Sequence, residues 1–134
     1  MENHEMHETH EKIILGKECF KIQGAIFEVY RELGSGFLES VYQECLEREF
    51  HRSGIPFESQ KEIPITYKGE PLLQHFRADF ICFDSVIVEI KAVREIAPEH
   101  KAQILNYQKA TGLKVGLLVN FGSHPKATIQ RYVL

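Results

Sequence analysis

Asp79, Glu89 and Lys91 stand in one of the most apolar stretches of this 134-residue chain. The stretch reads Phe76-Arg77-Ala78-Asp79-Phe80-Ile81-Cys82-Phe83, then Asp84-Ser85, then Val86-Ile87-Val88-Glu89-Ile90-Lys91-Ala92. Two β-rich runs joined by an Asp-Ser pair predict a hairpin. Strand alternation puts Glu89 and Lys91 on one face and Val88, Ile90 and Ala92 on the other. Ionised groups among such neighbours are costly unless they are paired, hydrogen-bonded or bound to a metal. With Asp79 across the hairpin from Glu89, two carboxylates and an ammonium converge. Two acids can hold a hard divalent cation through oxygen, and a lysine beside them can act on water or phosphate.

The order Asp79, then Glu89-Ile90-Lys91, resembles the active-site pattern of the PD-(D/E)XK nuclease superfamily, with Ala78 where the name has proline. Within that superfamily the chain resembles the GxxExxY family, whose motif is matched by Gly36-Phe37-Leu38-Glu39-Ser40-Val41-Tyr42. The likeness extends from about Ile13 to the C-terminus. It implies a restriction-endonuclease-like α/β (α+β) core: two N-terminal helices, a β-meander, a helix and a strand, in a central mixed sheet of four to five strands. It also implies Mg²⁺ or Mn²⁺ held by Asp79 and Glu89, with the backbone carbonyl of Ile90 in the shell. Lys91 is then expected to orient or deprotonate the attacking water. By spacing alone, Glu39 is a first-turn helix acid and Tyr42 a core aromatic. The resemblance makes Glu39 a site member and leaves Tyr42 structural. Gln103 and Tyr107 match a QxxxY pattern found after the lysine in several superfamily nucleases, where both face the site. His100, three residues earlier, is expected to cap its helix, with phosphate contact as the alternative.

The helices and strands that carry these residues follow from periodicity. Residues 13–33 show three-and-four spacing and predict an amphipathic helix. Gly34-Ser35-Gly36 stops it, and Ser35 or Gly36 is expected to cap a second helix over 38–52. Residues 57–60 and 63–67 read as two short strands, Lys68-Gly69-Glu70-Pro71 as a turn, and 72–83 and 86–92 as longer strands. A helix is expected from Ala97-Pro98-Glu99 to Thr111, with Gly112 as its stop. Residues 114–121 form a nearly continuous apolar run, the mark of a strand buried on both faces and reached by a parallel crossover. A peripheral strand over 128–134 ends the chain.

Length and composition fit one soluble domain, expected over 12–134 after a flexible, acidic, His-rich leader over 1–11. His4, His7 and His10 are spaced by three, which would align them on a helix, but a solvated leader is the plainer reading. No apolar run is long enough to span a bilayer, and no secretory leader is seen. Cys19, Cys45 and Cys82 read as reduced, mostly buried thiols, so a cytoplasmic setting is expected. The net charge of −3 argues against a DNA-coating protein. Residues 1–59 carry 6 Lys/Arg against 12 Asp/Glu, and residues 60–134 carry 10 against 7. The half with the candidate site is therefore the basic half.

The function expected is metal-dependent hydrolysis of nucleic acid, DNA foremost, with no membrane association. A homodimer or a partner protein would supply grip that so small a domain lacks. The rival reading keeps the fold and drops catalysis: Glu89 pairs with Lys91, Asp79 pairs with Arg77 or Arg94, and the protein is an inactive nucleic-acid- or protein-binding module.

Overall fold

The computed structural model describes residues 2–134, and the side chains of residues 15–134. In chain order the elements are α1 (Glu2–Leu33), α2 (Glu39–Arg52), β1 (Phe57–Tyr67), β2 (Glu70–Cys82), β3 (Val86–Lys91), α3 (Pro98–Thr111), β4 (Val115–Asn120) and β5 (Thr128–Val133). The backbone of the leader is part of α1 from Glu2 onward, so that helix begins earlier than the expected 13–33, while the side chains of His4, His7 and His10 lie outside those described.

The five strands form one mixed sheet in the order β1-β2-β3-β4-β5. Neighbours are antiparallel except β3 and β4, which α3 joins in parallel. Together with the three helices this is the restriction-endonuclease-like α+β arrangement expected. The pleat of β3 divides the core. Val86, Val88 and Ile90 face α1 and α2, where Ile22, Ile26, Tyr42, Leu46 and Phe50 are fully buried. Ile87 faces the other way, with Leu118 and with Ile104 of α3. Each such burial contributes about 1.5–3 kcal/mol. All six residues of β4 are buried, as its apolar run predicts.

Three local expectations change. Leu38, in extended backbone and without a side-chain cap, precedes α2, in place of Ser35 or Gly36. Residues 57–67 form one strand, although Pro64 lies inside it. β1 is an edge strand that pairs only with β2, so a missing N–H is tolerated there. The β2–β3 turn centres on Phe83 and Asp84, at φ +56° and +53°, and Ser85 N–H donates to Cys82 O at 3.0 Å. Left-handed pairs of this kind match the twist of the flanking strands.

The β1–β2 ladder reaches out to Tyr67–Glu70, whereas β2 pairs with β3 only at Phe80, Ile81 and Cys82. Residues 70–75 of β2 are exposed throughout. The hairpin thus outruns the sheet as a two-stranded ribbon. Cys19, Cys45 and Cys82 are free thiols, and burial pushes Cys82 up to about 12. Among the described residues no helix is long and apolar enough to cross a membrane.

Candidate active site

The β2–β3 register, continued one rung past Phe80–Val88, sets Asp79 opposite Glu89. There side chains take over from the ladder. Asp79 N–H donates to Glu89 Oε2 at 2.7 Å, and Ile90 N–H donates to Asp79 Oδ2 at 2.8 Å. Two carboxylates are thereby locked together at the end of a fully buried strand. Glu89 itself is only 4% exposed.

The electrostatics follow from this burial. Desolvation pushes Glu89 up to about 8; the charge of Asp79 adds to the rise, and the Asp79 N–H and Lys91 oppose it. Burial also raises Asp79, against the bonds from Ile90 and Gln60 and the charge of Lys91. Glu39 is raised by burial, lowered by Lys91, raised by Asp79 and lowered by His100. Burial raises the Tyr107 phenol, and the charges of Glu89 and Asp79 raise it further. Glu39, Lys91 and Tyr107 therefore share the field of the carboxylate pair.

Glu39 and Asp79 line one cavity of about 350 Å³ with Ser40, Gln43 and Gln60. Gln103 sits one helical turn before Tyr107 on α3. The Tyr107 ring stacks flat on Phe76 of β2, with centroids 3.7 Å apart. Ile90 buries its side chain in the core and turns its N–H to Asp79. His100 Nδ1 accepts the Ala97 N–H at 3.0 Å, so it caps α3.

The ion pairs offered with the inactive-module reading are not among those formed by the described residues. Among the described residues no ion pair within 4.0 Å joins Asp79 or Glu89 to Lys91, Arg77 or Arg94. Arg77 lies instead 3.7 Å from Glu62.

A divalent cation suits this donor set. Glu89, buried, and Asp79, half-buried, each resist ionisation and stand together with no side-chain cation within 4.0 Å among the described residues. Among the described residues no group of three His, Cys, Asp or Glu side chains forms a ready metal cage. The protein oxygens available are those of Asp79 and Glu89, supplemented by a backbone carbonyl, Glu39 or water, as a hard ion accepts.

Tyr42, expected to be structural, helps to position the site, as do Gln43 and Asn120, which the sequence reading did not single out. Tyr42 Oη donates to Gly34 O at 2.6 Å and accepts Phe37 N–H at 3.3 Å. Its ring stacks on Phe121, with centroids 4.4 Å apart. The motif tyrosine thus pins the loop that delivers Glu39, and Gly36 supplies the φ of +110° the loop needs. Gln43, one turn after Glu39, donates to Asp79 O at 3.2 Å and to Ser59 Oγ at 2.9 Å; Ser59 in turn donates to Glu47. Spacing of four from Glu39 was a usable signal for Gln43. Asn120, buried at the end of β4, exchanges bonds with Val93: N–H to Oδ1 at 3.0 Å and Nδ2 to O at 2.8 Å. With Phe121 N–H on Lys91 O at 2.8 Å, this clamps the chain where it leaves Lys91. Gly122 is pressed so close that a Cβ there would fall 2.1 Å from Val93 O.

Comparison with known proteins bears on the family and the fold. No curated protein matches the chain. The crystal structure of SSO0001 is similar in fold, with a TM-score of 0.56 at 22% identity, covering 70% of this chain and 48% of that one. This chain therefore spans about half of that protein's length. Nucleases of the PD-(D/E)XK superfamily generally use divalent metal ions, and the profile of that superfamily matches residues 17–132. With that match covering most of its length, the chain belongs to the PD-(D/E)XK nuclease superfamily.

Proposed function

We propose that this protein is a nuclease of the GxxExxY kind that hydrolyses phosphodiester bonds of DNA with Mg²⁺ or Mn²⁺, in the cytoplasm. The observation that carries the reading is the Asp79–Glu89 pair, in which each carboxylate accepts a main-chain N–H from the other's strand and neither meets a side-chain cation within 4.0 Å among the described residues. Asp79, Glu89 and the Ile90 carbonyl would hold the ion. A bound divalent ion supplies charge neutralisation at phosphorus and eases formation of a nucleophile near neutral pH. Lys91 orients the attacking water and offsets negative charge developing on the phosphate. Glu39 adds its carboxylate to the cavity that Asp79 lines. Gln103 and Tyr107 hold water or a non-bridging oxygen. These contacts address the sugar–phosphate chain, so they carry little base specificity.

The test is direct. The purified protein is incubated with linear, nicked and single-stranded DNA and with RNA, in Mg²⁺, Mn²⁺ or EDTA, beside Asp79→Ala and Lys91→Ala. Metal-dependent cleavage of DNA that both substitutions abolish is the expected result. Binding without cleavage, unaffected by Lys91→Ala, would overturn it in favour of the inactive module.

A further inference from the structure

Gln60 occupies a place in β1 that a regular strand would not explain. The ladder pairs Ser59 with Phe80 and Lys61 with Ala78, so Gln60 lies level with Asp79. Its φ is +52°. Among the described residues, the other non-glycine positions at positive φ are Lys68, Phe83 and Asp84, all in hairpin turns. Gln60 is in mid-strand, and the register is the same on both sides of it. Left-handed backbone is unfavourable for a residue with a Cβ, and such outliers persist where the surroundings hold them, often at functional sites.

The side chain shows what the conformation serves. Gln60 Nε2 donates to Asp79 Oδ1 at 3.2 Å, while Ile90 N–H holds Oδ2 at 2.8 Å. Both oxygens of one carboxylate are thus oriented from outside. Gln60 is exposed, so no core packing demands it, and it lines the cavity that Asp79 shares with Glu39.

We infer that Gln60 is a positioning residue of the site, whose amide fixes the plane of the Asp79 carboxylate for a divalent cation and whose backbone is kept left-handed at the expense of stability. This rests on the metal-dependent reading above. It adds a residue that neither the Asp–Glu–Lys pattern nor the GxxExxY motif contains. An amide suits the task because it donates to the carboxylate without adding charge that would compete with the ion.

Two substitutions separate positioning from structure. Gln60→Gly and Gln60→Ala both remove the amide, but only glycine relieves the backbone. Mn²⁺ is titrated calorimetrically onto the full chain of wild type and both variants, and thermal unfolding is followed in EDTA. Mn²⁺ affinity is expected to fall about 10–100-fold in both variants. Gln60→Gly is expected to unfold roughly 4 °C higher than wild type, and Gln60→Ala no higher. Wild-type affinity in both variants would overturn the role of Gln60 and leave the metal reading standing. Loss of affinity in Gln60→Ala alone, together with lowered stability, would reduce Gln60 to a structural residue and overturn the inference. A wild-type protein that takes up no Mn²⁺ would overturn both readings together.

Discussion

The main-chain N–H of Asp79 donates to the carboxylate of Glu89 at 2.7 Å, and the N–H of Ile90, next to Glu89, donates back to the carboxylate of Asp79 at 2.8 Å. Each acid caps the strand that carries the other. The backbone is satisfied without a further ladder rung, and the strands part at that point with their carboxylates between them. This arrangement distinguishes the needs of folding from those of chemistry. Glu89→Gln keeps an acceptor for Asp79 N–H while removing a buried ionisable group. It should leave stability in EDTA at pH 8 equal to or above wild type, by urea denaturation, and lower cleavage at least ~10²-fold.

Stability without metal should depend on pH through Glu89. Its folded value, about 8, lies above the ordinary carboxyl value of 4.5. The folded state then retains a proton that the unfolded chain releases, so stability falls as pH rises. The contribution is complete below about pH 4.5 and is lost as pH passes through about 8. Urea midpoints measured in EDTA from pH 5 to 9 should decline, and Glu89→Gln should flatten the decline. Mn²⁺ should restore stability at the alkaline end and be taken up with proton release at pH 7, measurable by calorimetry in buffers of different ionisation enthalpy.

Asn120→Ala removes both bonds to Val93 and the bond that Gly122 N–H makes to Asn120 Oδ1 at 2.9 Å. Asn120 is 1% exposed, so the backbone groups it leaves find little solvent. A loss of about 1–3 kcal/mol is expected by urea denaturation. Because the clamp follows Lys91 by two residues, kcat should fall more than the stability loss alone would account for at a temperature where the variant is fully folded.

Tyr42→Phe keeps the stack on Phe121 but leaves Gly34 O and Phe37 N–H without their shared partner. Stability should drop by about 1–2 kcal/mol. Cleavage should fall with it, since the same loop carries Glu39 into α2. Thermal unfolding and single-turnover cleavage, measured on one preparation, check both.

Much of the fold was legible because its signals are local. The apolar run of β4, the glycine after α3 and the alternation around Glu89 and Lys91 each depend on near neighbours. The facing of Asp79 and Glu89 was legible too, since hairpin pairing follows once two strands and a short turn are recognised. What stayed hidden depends on contacts distant in sequence. The break expected in β1 at Lys61 and Glu62 is closed by their pairing with Ala78 and Arg77 on β2. Gln60 carries no local mark of a left-handed backbone. Asn120 reads as one polar residue ending an apolar run until Val93, 27 positions earlier, is seen beside it. Leu38 precedes α2 without capping it because the loop is secured by Tyr42 instead.

Residues 66–75, the outer part of the ribbon formed by β1 and β2, are all exposed. Its amides are protected by one another and by little else. In heavy water, protons on residues 66–75 should exchange by local opening, far sooner than those of β3 and β4, which exchange only when the whole chain unfolds. A protease that cuts after lysine should therefore find Lys68 first, at the tip, and leave behind a nicked protein whose sheet is still intact.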